Sequence, residues 1–209
     1  MKEILDSINE EIKDKDIILV AVSKTKSNEA IMEAYNFGVR DFGENYVQEL
    51  IGKMDTLPDD INWHMIGHLQ TNKVKDLIKR NIYLIESVDS VKLANEINKQ
   101  ASKLDKVVNI LLEVNIAHED TKTGIILEDV PVIISEVHKL SNINLLGLMA
   151  IAPHTDDETI IRQAYKDMVE LRDKYGFKLL SMGMTNDYKI GIEEGTNIIR
   201  IGTKIFGKR

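Results

Sequence analysis

Apolar positions along this chain fall into two alternating rhythms. Short runs rich in β-branched residues alternate with longer stretches where apolar side chains recur every three or four positions. The first rhythm belongs to strands buried on both faces, the second to helices with one apolar face. Ile4, Leu5, Ile8 and Ile12 form one stripe and predict a helix over 2–13. Residues 17–22 are almost wholly apolar and predict a strand running straight into Lys24. Ser27-Asn28-Glu29 opens the next helix and Gly38 stops it. A strand over 39–43 delivers Glu44-Asn45-Tyr46, and a helix follows through Leu50 and Met54. The pattern then predicts a strand over 61–67, a helix over 71–79, a strand over 82–85 and a helix over 90–102. The longest apolar strand spans 107–114; the helix after it, 127–140, has Pro131 where a first turn tolerates it. A strand over 143–151 contains Gly147, and a helix over 156–174 turns Ile160, Ile161, Ala164, Tyr165, Met168 and Leu171 inward. A strand over 179–182, a short helix over 187–194 and a last strand over 197–202 complete the series.

These are about eight strand-then-helix units, the last helix short or missing. An eight-stranded α/β barrel and a doubly wound open sheet both absorb such a pattern. Eight units within 209 residues favour the barrel, as one domain over 1–209 with an extra N-terminal helix. Gly183-Met184-Thr185 lacks the spacing of a dinucleotide fingerprint. Barrel chemistry gathers at the C-terminal strand ends. Those ends read Lys24, Asn45-Tyr46, His64 to His68, Glu86-Ser87, Asn115, Met149, Thr185 and Arg200.

Composition narrows the function classes. The chain is 43% hydrophobic and 29% charged, which is ordinary for a globular protein. It has no cysteine, so disulfides, thiolate catalysis and zinc ribbons are excluded. A formal net charge of −7 argues against nucleic acid or an anionic membrane as the main partner. No apolar run approaches the roughly 20 residues of a membrane span, and the start of the chain has no signal-peptide core. The expected location is cytoplasmic.

A lysine at the lip of a buried strand is partly desolvated, and a second cation at Lys26 pushes the same way, towards a neutral and nucleophilic amine. Thr185 follows Gly183 at a helix start, and Gly202 beside Thr203 lets the backbone approach a ligand closely. Together with Arg200 these match the phosphate site common on the last strands of such barrels. Other readings are weaker. His64 and His68 are four apart, but Gly67 intervenes at a strand end, so paired metal ligation is not expected. Ser23 and Lys24 point to opposite faces of a strand and make a poor hydrolytic dyad. Met149, Met182 and Met184 read as core, the run 113–120 as a polar loop, and Lys204, Lys208 and Arg209 as a solvated basic tail.

Six collinear segments carry a resemblance: Ala21-Val22-Ser23-Lys24-Thr25, Phe42 to Glu49, Trp63 to Gly67 with Leu69 to Lys73, Gly147 to Ile151, Ser181 to Asp187 and Arg200 to Gly207. From about Ile17 onwards the chain resembles the pyridoxal phosphate homeostasis protein family, single-domain relatives of the alanine racemase barrel. It differs at Thr185, where the family commonly has Ser and the hydroxyl is kept, and at His68, where it often has Pro. The resemblance implies a (β/α)8 TIM barrel of the fold-type III kind, with pyridoxal 5′-phosphate bound to Lys24 as a Schiff base. It implies that Thr185 and the backbone of Gly202 and Thr203 hold the phosphate, with Ser181 close by, and that Arg200 faces the pyridine nitrogen. Asn45 and His64 are further candidate cofactor contacts; Asn45 and Tyr46 could equally cap and pack the following helix. An arginine there disfavours a protonated ring, so the cofactor becomes a poor electron sink.

Two functions remain. The first is a monomeric carrier that buffers pyridoxal phosphate or hands it to apo-enzymes, without strong catalysis of its own. The second is an amino-acid racemase or related enzyme. By resemblance, racemases of this fold type use a second domain that supplies an opposing tyrosine base. This chain ends directly after the eighth strand, so that base is not expected and the carrier reading is preferred.

Overall fold

The structure, a computed structural model, describes residues 1–117 and 123–207. Eight parallel strands close into a barrel in chain order. They are β1 (Ile18–Val22), β2 (Asp41–Glu44), β3 (Asn62–Met65), β4 (Leu84–Val88), β5 (Val108–Val114), β6 (Ile143–Ala150), β7 (Leu179–Met184) and β8 (Ile198–Ile201). The helices between them are α2 (Asn28–Asn36), α3 (Val47–Met54), α4 (Thr71–Ile78), α5 (Val91–Ser102), α6 (Val130–Val137), α7 (Glu158–Tyr175) and α8 (Tyr188–Glu194). Helix α1 (Lys2–Ile12) precedes the barrel and the single turn α9 (Thr203–Phe206) comes after β8. Ser27 and Ser90 cap α2 and α5 with their hydroxyls, and Pro131 sits in the first turn of α6.

The longer strands are largely apolar on both faces because each face meets a different layer. Leu19 and Ala21 face the helices, whereas Val20, Leu84, Leu111, Met149 and Ile198 form a small cluster of their own inside the barrel. Above that plug the interior turns polar: His64, Glu86, Ser181 and Arg200 are all buried there. The main core lies between sheet and helices.

Several expectations need correction. Strand β4 begins at Leu84 and carries Glu86 within it rather than at its end. Ile160 is 49% exposed and does not face the core. Met184 is likewise exposed, although Met149 and Met182 are buried. Glu113 and Val114 belong to β5 rather than to a polar loop; residues 118–120 of that loop, with Lys208 and Arg209, lie outside the described residues. No helix among the described residues is long and apolar enough to cross a membrane.

Candidate functional site at the barrel mouth

The C-terminal ends of β1, β7 and β8 and the connection from β6 to α7 border a cleft of about 660 Å³. Lys24, Thr185, Arg200, Gly202 and Thr203 all line it. A shallower depression elsewhere is lined only by α2 and the segment after α3, with no strand end and none of the chemistry above.

Two backbone devices shape the cleft's anion-ready side. Gly183 has φ +95°, and a Cβ there would come 2.9 Å from the Cα of Tyr188. The turn after it is stapled by Asp187, whose carboxylate accepts from the Met184 amide (2.5 Å) and the Tyr165 hydroxyl (3.0 Å). Burial and the adjacent Asp187 push the Tyr165 phenol up, so it stays a donor. Thr185 then meets β8's exit: its hydroxyl lies 3.4 Å from both the Gly202 amide and the Thr203 hydroxyl. A Cβ at Gly202 would sit 3.3 Å from Val22, so only glycine fits this approach easily. The amides of Thr203 and Lys204 precede the first helical bonds of α9, which Ile205 and Phe206 make to the Gly202 carbonyl. Hydroxyls and unspent amides together suit a phosphate.

Lys24 does not lie on the strand itself but two residues past β1, in a turn closed by the Lys26 amide to the Ser23 carbonyl (3.0 Å). Thr25, the third residue of that turn, has φ +64°. A β-branched residue in the left-handed region is strained by about 1–3 kcal/mol. Ser23 points the other way: its hydroxyl donates to Glu44 (2.6 Å) and is fully buried. Desolvation raises the Glu44 carboxyl, with the Lys53 ammonium and Ser23 hydroxyl pulling against it.

Arg200 is 4% exposed, donating to the Ala150 carbonyl (2.9 Å) and to the Ser181 hydroxyl. Ser181 in turn donates to Glu86 (2.6 Å), whose other oxygen accepts a hydrogen bond from His64 Nδ1 (2.6 Å); His64 Nε2 reaches Asp41 (3.1 Å). Four charged groups thus thread the barrel interior from its mouth to the start of β2. Desolvation alone would lower the His64 pKa, but Asp41 and Glu86 outweigh it and raise the value from 6.5 to about 9. Burial opposes the Glu86 charge as well, and His64, Arg200 and Ser181 overcome it, holding its pKa below the usual range.

This buried imidazolium makes stability depend on pH. His64's folded pKa lies above its unfolded one, so its contribution is complete below pH 6.5 and lost as pH rises towards 9. Urea unfolding at pH 6 and pH 9 should therefore differ by on the order of 3 kcal/mol, with the acid side more stable. A flat profile across that window would exclude a buried imidazolium.

The structure brings Lys24, Thr185, Arg200, Gly202 and Thr203 together and leaves three candidates outside the lining. His64 is fully buried beneath the mouth, and Ser181 is committed to Arg200 and Glu86 rather than to the phosphate side. Asn45 packs against Gly67, where a Cβ would come 2.5 Å from the Asn45 carbonyl oxygen. Tyr46 is 58% exposed and precedes α3 as its N-cap residue. His68 turns away from His64 to pair with Asp89 (3.2 Å). Sequence reasoning missed Glu49, Lys53 and Asp187, although Glu49 and Asp187 lie within segments that carry the family resemblance.

The barrel, with a lysine after its first strand and a phosphate-suited turn after its last two, places the chain in the class of alanine racemase N-terminal domains, whose family model matches residues 4–209. Within that class the chain belongs to the pyridoxal phosphate homeostasis protein family. It is 43% identical over 198 residues to the pyridoxal phosphate homeostasis protein of Aquifex aeolicus, covering 91% of this chain and 86% of that one. The structure of PipY from Synechococcus elongatus with PLP bound superposes with a TM-score of 0.89 at 32% identity, covering 99% of both chains. An alanine racemase from Clostridium difficile shares the fold (TM-score 0.83) at 20% identity, and this chain covers 56% of it.

Proposed function

We propose that the protein is a one-domain carrier of pyridoxal 5′-phosphate that attaches the cofactor through Lys24 and serves pyridoxal phosphate homeostasis in the cytoplasm. One observation carries this reading: Lys24 converges with Thr185, Gly202, Thr203 and Arg200 on a single cleft. The residues fit the group. Lys24 shares one cleft with hydroxyls and amides that can take a phosphate dianion, and Gly202 leaves room where a Cβ would crowd Val22. Pyridoxal phosphate supplies an aldehyde that a lysine amine can capture and a ring that withdraws electrons from an attached amino acid. The Aquifex relative's name and the PLP-bound PipY structure support the same ligand.

Arg200 limits the chemistry open to the bound cofactor. In this reading it meets the ring nitrogen, and its guanidinium is held rigid by Ala150 and Ser181 with Glu86 beneath as counter-ion. A permanent cation opposes protonation of the ring and weakens its pull on electrons. Among the described residues, no tyrosine lines the cleft to act as an opposing base. In this reading the protein holds and releases the cofactor, supplies apo-enzymes as a monomer, and has at most weak racemase activity.

Adding pyridoxal phosphate should produce a visible absorbance band, and borohydride reduction should fix an adduct that peptide mapping places on Lys24. Lys24→Ala should lose both. An adduct on another lysine would overturn the assignment, and alanine racemisation at an enzyme-like rate would overturn the carrier reading.

A further inference from the structure

We propose that Glu49 and Lys53 are positioning residues that hold the Ser23–Lys26 turn in the strained form that presents Lys24 to the cleft. The proposal rests on the reading of Lys24 as the cofactor lysine. Lys24, Thr25 and Lys26 all line the cleft, so the conformation of this turn sets one of its walls. Its third residue is Thr25 at φ +64°, a position that glycine or asparagine normally fills. The Lys26–Ser23 bond closes the turn but does not choose the orientation of the peptide between Lys24 and Thr25. Glu49 does: its Oε1 accepts the Thr25 amide at 2.6 Å. Reversing that peptide would break this bond and turn the Lys24 carbonyl towards the carboxylate instead.

Glu49 is itself fixed. Lys53 spends its three donors on Glu49 Oε1 (2.6 Å), Glu44 Oε1 (2.8 Å) and the Ser23 carbonyl (2.8 Å). One buried ammonium thus ties the first residue of the turn to the carboxylate that clamps its third. Both residues come from α3, outside the barrel, and neither lines the cleft. A strained conformation at a ligand-bearing turn persists only when its surroundings hold it, and this cluster supplies the hold. When the clamp is lost, the fraction of molecules with a binding-competent turn falls, and apparent affinity falls with it.

The test is a double-mutant cycle in which a residue free to adopt positive φ replaces the strained one. Pyridoxal phosphate is titrated into wild type, Glu49→Ala, Thr25→Gly and the pair, with the visible band and borohydride trapping on Lys24 as readouts. Urea unfolding of the apo-proteins runs in parallel. Glu49→Ala should weaken binding by about tenfold, while Glu49→Gln, which still offers an acceptor, should lose far less. In the Thr25→Gly background the same Glu49→Ala change should cost little, because glycine needs no clamp. A merely structural role for Glu49 would not be rescued by a glycine at a neighbouring loop. Equal losses in both backgrounds, or no loss from Glu49→Ala, would overturn the positioning role while Lys24→Ala still abolished the adduct. Survival of the adduct in Lys24→Ala would overturn the Lys24 assignment, and this proposal with it.

Discussion

Glu86→Ala should destabilise the protein by about 3–5 kcal/mol, the cost of removing one partner from a buried ionic group. Glu86 is fully buried and is the shared acceptor for His64 and Ser181, with the Arg200 guanidinium 3.9 Å away. Its loss leaves Arg200 and His64, both buried, without their common counter-ion. The substitution should also change the shape of the pH profile. With Glu86 gone, only Asp41 opposes the desolvation of His64, so the imidazole pKa should fall from about 9. The loss of stability between pH 6.5 and 9 should shrink accordingly. Urea unfolding of both proteins at three pH values checks the two effects together. A loss under about 1 kcal/mol with an unchanged pH slope would mean the chain of charges is not coupled as its distances imply.

Gly147→Ala should cost at least about 3 kcal/mol, above the usual range for an added methyl group, because the obstacle is backbone. A Cβ on Gly147 would lie 1.8 Å from the Leu179 carbonyl oxygen and 2.6 Å from its carbon. Gly147 pairs with Leu179 in the β6–β7 ladder, so neither strand can yield without opening the barrel. The effect should reach the cleft as well. β6 supplies the Ala150 carbonyl and β7 the Ser181 hydroxyl that together anchor Arg200. Soluble yield and urea midpoint measure the first consequence; pyridoxal phosphate affinity of the surviving folded protein measures the second. Wild-type values for both would mean the ladder accommodates a side chain at this position.

Much of this protein was legible in its sequence. Apolar runs and helical stripes are local patterns, set by which side chains a strand or helix must bury, and they yielded the order of the barrel's elements. That Lys24, Thr185, Arg200, Gly202 and Thr203 share one cleft follows from their places, because strand ends in such a barrel converge on one mouth. The tertiary structure alone decided which polar residues face that mouth and which lie under it. An apolar-run rule ends a strand at its first charge, so it closes the fourth strand at 82–85, before Glu86. In the fold the strand runs on to Val88, since His64 and Ser181, 22 and 95 residues away in sequence, bond its carboxylate. The same partners draw His64 and Ser181 into the interior. Register shifts between β4 and β5, β5 and β6, and β7 and β8 reset which residues point inward, and no local pattern encodes them. The Lys53 cluster escaped for a related reason. Spacing on α3 pairs Glu49 with Lys53, but only the packing of α3 against the end of β1 brings both to the Ser23–Lys26 turn. Burial of a charge is settled by partners distant in sequence, and those partners exist only once the barrel has closed.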